Sequence, residues 1–155
     1  MTATPATKAL DKAKIIYDVH LYDYEGGHQI GEHAAEAIGA DPARVFKTLM
    51  VEVDGKPGCV VIPVAATVKM KRAASALGGK SAQMMEVPKA ERLTGFRVGG
   101  ISPFGQKKRV PTAFDSSALD HERIILNGGQ RGVMVELTPQ TAIDQLNAKY
   151  ADLIG

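Results

Sequence analysis

Lys47 is the residue of this chain whose surroundings ask most of it. It stands second in the run Phe46–Val53, FKTLMVEV. Alternation there predicts a strand with Lys47 on the face of Leu49, Val51 and Val53, and with Phe46, Thr48 and Met50 on the other. A cation on an apolar face has two readings. Either its stem packs and its ammonium stays in water near the start of the strand, or the ammonium is desolvated beside a pocket and holds an anionic or carbonyl group of a ligand.

The second chemistry-bearing stretch is Val98–Asp115, VGGISPFGQKKRVPTAFD. Gly99 and Gly100 allow positive φ and let a ligand approach backbone N–H groups without meeting a Cβ. Lys107, Lys108 and Arg109 follow at once and, with Arg131 further on, offer positive charge to an anion held at those amides. A second glycine pair, Gly128-Gly129, also follows a predicted strand, and the two pairs could line one cleft. The plainer readings are a tight turn or bulge for each pair and a solvated turn for the cations. The spacing fits neither a P-loop nor a dinucleotide fingerprint.

The familiar catalytic sets do not assemble. His28 and His33 are five residues apart, which on a helix separates them by about 140°, so they do not share a metal-binding face. His20 and His121 have no triad partner readable in the sequence. Cys59, the single cysteine, lies in an apolar run, so no internal disulfide forms and inert core is the expectation. Met84 and Met85 read as packing residues. An enzyme so equipped must attack an activated bond or borrow a reactive group from its substrate. No residue set asks for a metal or a cofactor.

These groups need elements to hold them. Thr4-Pro5 starts a helix to about Lys14, with Ala6, Leu10 and Ala13 inward. Ile15–Tyr24 alternates as a half-buried strand, with Tyr17, Val19 and Leu21 on one face and Asp18, His20, Tyr22 and Tyr24 on the other. After the break at Gly26-Gly27, a helix runs from Gly31 to Ile38, ended by Gly39, and Asp41-Pro42 starts a turn. Phe46–Val53 and Cys59–Val64 form a hairpin about Asp54-Gly55 at the centre of the sheet. Lys69–Leu77 and Pro88–Leu93 are helices, Phe96–Val98 returns to the sheet, and Thr112–Asp115, Arg123–Asn127 and Val133–Leu137 are strands. Asn127-Gly128-Gly129 opens a loop, and Thr138-Pro139 begins a last helix to about Asn147, leaving Tyr150 and Leu153 to pack back. Strands and short helices mix without a regular alternating period. The expected fold is therefore α+β, a single domain with a curled mixed β-sheet, a partial barrel, flanked by short helices.

With 45% apolar and 23% charged side chains, the 155 residues fit one domain with a real core. A net charge of +2 excludes a protein that binds by phosphate neutralisation alone, so nucleic-acid contact should be local. No segment approaches the roughly 20 apolar residues of a membrane span, and the first residues have no secretory apolar core. A reducing, cytoplasmic setting is the expectation.

Phe46-Lys47-Thr48-Leu49, GGISPFGQKKR at Gly99–Arg109 and NGGQRG at Asn127–Gly132 closely resemble, in order and spacing, the YbaK/EbsC family of aminoacyl-tRNA deacylases. The resemblance covers nearly the whole chain. It implies a trans-editing enzyme without cofactor that removes cysteine from mischarged Cys-tRNA(Pro), and from Cys-tRNA(Cys) in some cases. Its partners would be the acceptor end of an aminoacylated tRNA and prolyl-tRNA synthetase.

By position, Lys47 matches the family's essential lysine, and Thr48 and Tyr22 match pocket residues. Gly99 and Gly100 match the glycines whose amides face the ester, with Ile101 and Gly128 beside the substrate. Ile30 stands where the family often has phenylalanine, and Asn127 where it often has serine. Lys107, Lys108, Arg109 and Arg131 would touch tRNA phosphates. The implied chemistry is attack of the cysteine thiol on its own ester, which makes the enzyme a hydrolase that acts formally as a lyase. A deacylase for Ala-tRNA(Pro) or another small amino acid, and a non-catalytic module binding a nucleotide or RNA end, are the rival readings.

Overall fold

The computed structural model describes residues 3–24 and 30–155. The Gly26-Gly27 break and His28 lie outside the described residues, as does the side chain of Ile30. In chain order the elements are α1 (Pro5–Lys12), β1 (Asp18–Leu21), α2 (Ile30–Ile38), β2 (Phe46–Val53), β3 (Lys56–Pro63), α3 (Met70–Ala76), β4 (Ala82–Met84), α4 (Val87–Thr94), β5 (Thr112–Asp115), β6 (Ile124–Gln130), β7 (Val133–Leu137), α5 (Pro139–Leu146) and β8 (Lys149–Ala151). The fold is α+β, as expected. Its sheet is divided into a five-stranded part ordered β4-β2-β3-β5-β8 and a three-stranded part ordered β1-β7-β6. A single bridge, Val45 with Ile125, links the two parts, so the curl stops short of a closed barrel.

The hairpin β2-β3 organises the larger sheet. Asp54 and Gly55 take φ of 51° and 81°, the double positive φ of a type I′ turn, which sets the register from Phe46 opposite Pro63 to Val53 opposite Lys56. β3 then pairs in parallel with β5, and β5 with β8. Alternation along the hairpin feeds two cores. Phe46, Met50, Cys59 and Val61 pack with Phe96, Phe104 and Phe114, while Val51, Val53, Val60 and Ile62 pack with Ala73, Ala74 and Leu153. Each buried phenylalanine stabilises the fold by about 1.5–3 kcal/mol.

α1 is fixed from both ends of its first turn. Thr4 and Thr7 form a reciprocal cap before Pro5, and the buried Thr4 hydroxyl donates to Gly128 O at 2.5 Å. Ala6 and Leu10 are buried, but Ala13 is the exposed C-cap residue rather than an inward one. Gly105 takes φ of 69° against α1, where a side chain would run into the Pro5 carbonyl.

Four expectations need correction. β1 is shorter than predicted, and of its two faces it is the one with His20 and Tyr22 that is partly covered, while Val19 and Leu21 are exposed. β1 is an edge strand whose inner face looks onto polar company, so alternation marked the faces but not which one is buried. Phe96–Val98 forms no strand, because Gly95 caps α4 in the left-handed region and leads into a turn. β6 runs on through Asn127-Gly128-Gly129 to Gln130 with a register shift, so the glycine pair is a bulge in a strand and opens no loop. Tyr150 is exposed on β8, whereas Leu153 does pack back.

Candidate active site

β4 covers only Val51–Val53 of β2, so among the described residues the outer edge of β2 at Phe46–Leu49 carries no paired strand. A cleft of about 520 Å³ opens along that edge, bounded by α2, the β4–α4 connection and the turn at Gly99. Because the cleft runs along an edge, side chains from both faces of β2 border it, and Lys47 and Thr48 are neighbours there. Met85 N–H donates to Met50 O at 3.0 Å. Backbone groups alternate sides along a strand, so Thr48 turns its N–H and C=O outward to the cleft as Met50 does. Its hydroxyl oxygen is buried with no hydrogen-bond partner among the described residues.

Lys47 is half-buried in this wall, and no carboxylate of the described residues lies within 4.0 Å of its ammonium. Burial lowers its pKa from the usual 10.5, and the Glu32 carboxylate across the cleft offsets part of that shift. Tyr22 also borders the cleft. Burial raises its phenol above the ordinary value of 10.0 and keeps it neutral. The His33 ring meets Tyr22 edge-on at 6.0 Å and contacts Asp23 O at 3.1 Å.

The glycine turn forms the opposite wall. Gly100 N–H donates to Arg97 O at 2.8 Å, closing a four-residue turn. Gly99 sits at its third position with φ of 92°, as a type II turn requires. The two glycines therefore differ in kind. Gly99 faces the cleft, and a Cβ there would lie 2.5 Å from the Tyr24 hydroxyl. Gly100 is buried against the Gln130–Arg131 backbone, with its N–H already used. Gly99 and Ile101 both border the cleft, and neither N–H has an acceptor among the described residues.

Asn127 clamps this turn, donating through Nδ2 to Gly99 O at 3.0 Å and accepting from Gly129 N–H at 2.7 Å through Oδ1. Arg131 braces it from the rim. Its Nε donates to Val98 O at 2.8 Å, and its guanidinium stacks 4.9 Å over the Tyr24 ring.

The structure thus brings Tyr22, Lys47, Thr48, Gly99, Ile101 and Asn127 together on one cleft, with Arg131 at its rim. It does not bring Gly100, Gly128 or the cations of the glycine segment to it. Gly128 packs under Val133 and Val135 and accepts from Thr4. Lys107 and Lys108 donate their backbone N–H groups to Thr94 and Leu93 at the end of α4, and their side chains are exposed. Arg109 borders a separate cavity of about 200 Å³ beside Phe104 and Leu146. Following a turn in sequence is no guide to the direction in which the next residues leave it.

Glu32 is the site residue that sequence reasoning missed. An acidic residue in the first turn of a helix reads as ordinary helix chemistry, and only the fold sets α2 against β2. Met84 is another, half-exposed on the cleft rim rather than packed. Cys59 is core as expected, its thiol pushed up by burial to about 12 despite contacts with Thr112 and Gln106.

The sequence profile of the aminoacyl-tRNA editing domain matches residues 24–144. The chain belongs to this family. The editing domain is 34% identical over 152 residues to EbsC of Enterococcus faecalis, a protein assigned as a Cys-tRNA(Pro)/Cys-tRNA(Cys) deacylase, with 97% of this chain and 92% of that protein covered. It is 27% identical over 119 residues to YwhH of Bacillus subtilis, covering 76% of this chain and 75% of the relative. Its backbone matches, with a TM-score of 0.85 and 20% identity, the crystal structure of a protein assigned as a trans-editing enzyme for prolyl-tRNA synthetase, over 100% of this chain and 99% of the other. The editing domain's family acts on aminoacyl-tRNA, and a cleft of about 520 Å³ is of a size to receive an aminoacylated nucleotide. None of the helices of the described residues is long and apolar enough to cross a membrane.

Proposed function

We propose that this editing domain deacylates Cys-tRNA(Pro), and Cys-tRNA(Cys) with it, acting in trans after prolyl-tRNA synthetase has attached the wrong amino acid. The observation that carries the reading is that Lys47 and Gly99, whose N–H has no acceptor among the described residues, border one cleft. The near-complete coverage of EbsC supports cysteine as the amino acid.

The described lining residues supply Lys47, Tyr22, Thr48 and Asn127 but neither a histidine nor a cysteine, which favours a nucleophile brought by the substrate. The cysteinyl sulfur attacks its own ester carbonyl. The bond from that carbon to the terminal ribose oxygen breaks, the oxygen leaves with the thiol proton, and the amino acid departs as a cyclic thiolactone. Charge gathers on the carbonyl oxygen as the sulfur adds. Gly99 and Ile101 N–H groups would receive it, and one such donor is worth about 3 kcal/mol in other enzymes. Lys47 would anchor the terminal adenosine or its phosphate and orient the ester, which lowers the barrier by positioning rather than by covalent chemistry.

Blocking the substrate sulfur tests this directly. Alkylated Cys-tRNA(Pro) is expected to bind and resist turnover. Its hydrolysis at the rate of the free-thiol substrate would contradict self-attack.

A further inference from the structure

We propose that Glu32 forms the subsite that receives the α-ammonium of the aminoacyl group, an inference that rests on the aminoacyl-ester reading above. Among the described residues bordering the cleft, Glu32 and Lys47 are the charged ones, in a lining otherwise dominated by apolar side chains. Their charges interact, yet no ion pair within 4.0 Å joins them among the described residues. Opposite charges that border one cleft without forming an ion pair are each available to a ligand carrying the complementary charges.

An aminoacyl-tRNA end is such a ligand. It has a protonated amine at one end of the ester and a phosphodiester chain at the other. Lys47 repels the ammonium and attracts the nucleotide end, so the amine belongs at Glu32. α2 supports that assignment, because Glu32 lies in its first turn, where the helix field favours a carboxylate. The adjacent His33 is engaged with Asp23 O and the Tyr22 ring, whereas Glu32 borders the cleft with no ion-pair partner among the described residues. With the ammonium at Glu32 and the ribose at Lys47, the aminoacyl group enters in one polarity.

The test compares Cys-tRNA(Pro) with N-acetyl-Cys-tRNA(Pro), which lacks the positive charge, in the unaltered protein and in Glu32→Gln and Glu32→Asp. The unaltered protein is expected to prefer the free amine by about ten-fold or more in kcat/KM, the scale of one hydrogen bond to a charged group. Glu32→Gln should level that preference by slowing the free-amine substrate far more than the acetylated one, and its thermal unfolding midpoint, close to that of the unaltered protein, reports an intact fold. Glu32→Asp should keep the preference. A Glu32→Gln protein that slows on both substrates with the ratio preserved would overturn the inference, as would an unaltered protein with no preference. Cleavage of neither substrate by the unaltered protein would remove the aminoacyl-ester reading itself, and the inference with it.

Discussion

Lys47 is held where burial disfavours its charge, a cost to stability that a binding role would account for. Its native pKa lies below the unfolded value of 10.5, so between the two values the unfolded chain binds more protons than the native one. Stability from this group therefore rises as pH climbs through that window and carries a constant penalty below it. Lys47→Met should abolish deacylation while leaving the melting temperature at neutral pH unchanged or slightly higher, and should flatten the alkaline rise in stability. Calorimetry across pH beside a deacylation assay reads both. A strongly destabilised Lys47→Met protein would make the lysine a structural residue. Asn127 is the complementary case, since its side chain ties Gly99 O to the Gly129 N–H of the β6 bulge and acts through the turn. Asn127→Ala should lower kcat by about ten-fold or more with a smaller change in KM, as expected when one donor is misaimed.

At the scale of elements, the site depends on a helix that never touches it. α1 meets β6 through the Thr4 hydroxyl and Gly128 O, and β6 carries Asn127 to the glycine turn. Thr4→Ala removes the N-cap acceptor and leaves Gly128 O without its donor, so it should cost about 1–2 kcal/mol in denaturant unfolding. Activity at low temperature should survive in part. An unchanged midpoint would mean that α1 is not coupled to the sheet. The local elements were legible where local chemistry decides them: Asp54-Gly55 specified its turn, Thr4-Pro5 its helix start, and Gly39 and Asn147 their helix ends. Illegible were decisions made by distant chain. Gly128-Gly129 reads alike as loop or bulge until Val133 and Ala6 crowd it, and β8 gains its strand conformation only by lying parallel to β5. The lysine, tyrosine and first glycine of the cleft were legible. Glu32 was not, because nothing along the chain says that α2 faces β2.

Across the whole molecule, small net charge and a localised cleft imply that the tRNA body is held by few contacts. Lys107, Lys108 and Arg109 are exposed, without ion-pair partners among the described residues, and outside the cleft. We propose that they meet the acceptor stem rather than the ester. Changing all three to glutamine should raise KM for tRNA, leave kcat within about two-fold, and reduce the slope of log KM against log salt by about 2, since each phosphate contact contributes roughly 0.7–0.9. An unchanged salt slope would place the tRNA on another face.

The most direct test of the account is the deacylation profile of the purified protein on Cys-tRNA(Pro), Ala-tRNA(Pro) and Pro-tRNA(Pro) without any partner. Rapid loss of cysteine, with alanine and proline retained, is the predicted result. Preferential loss of alanine, or no loss from any of the three, would contradict it.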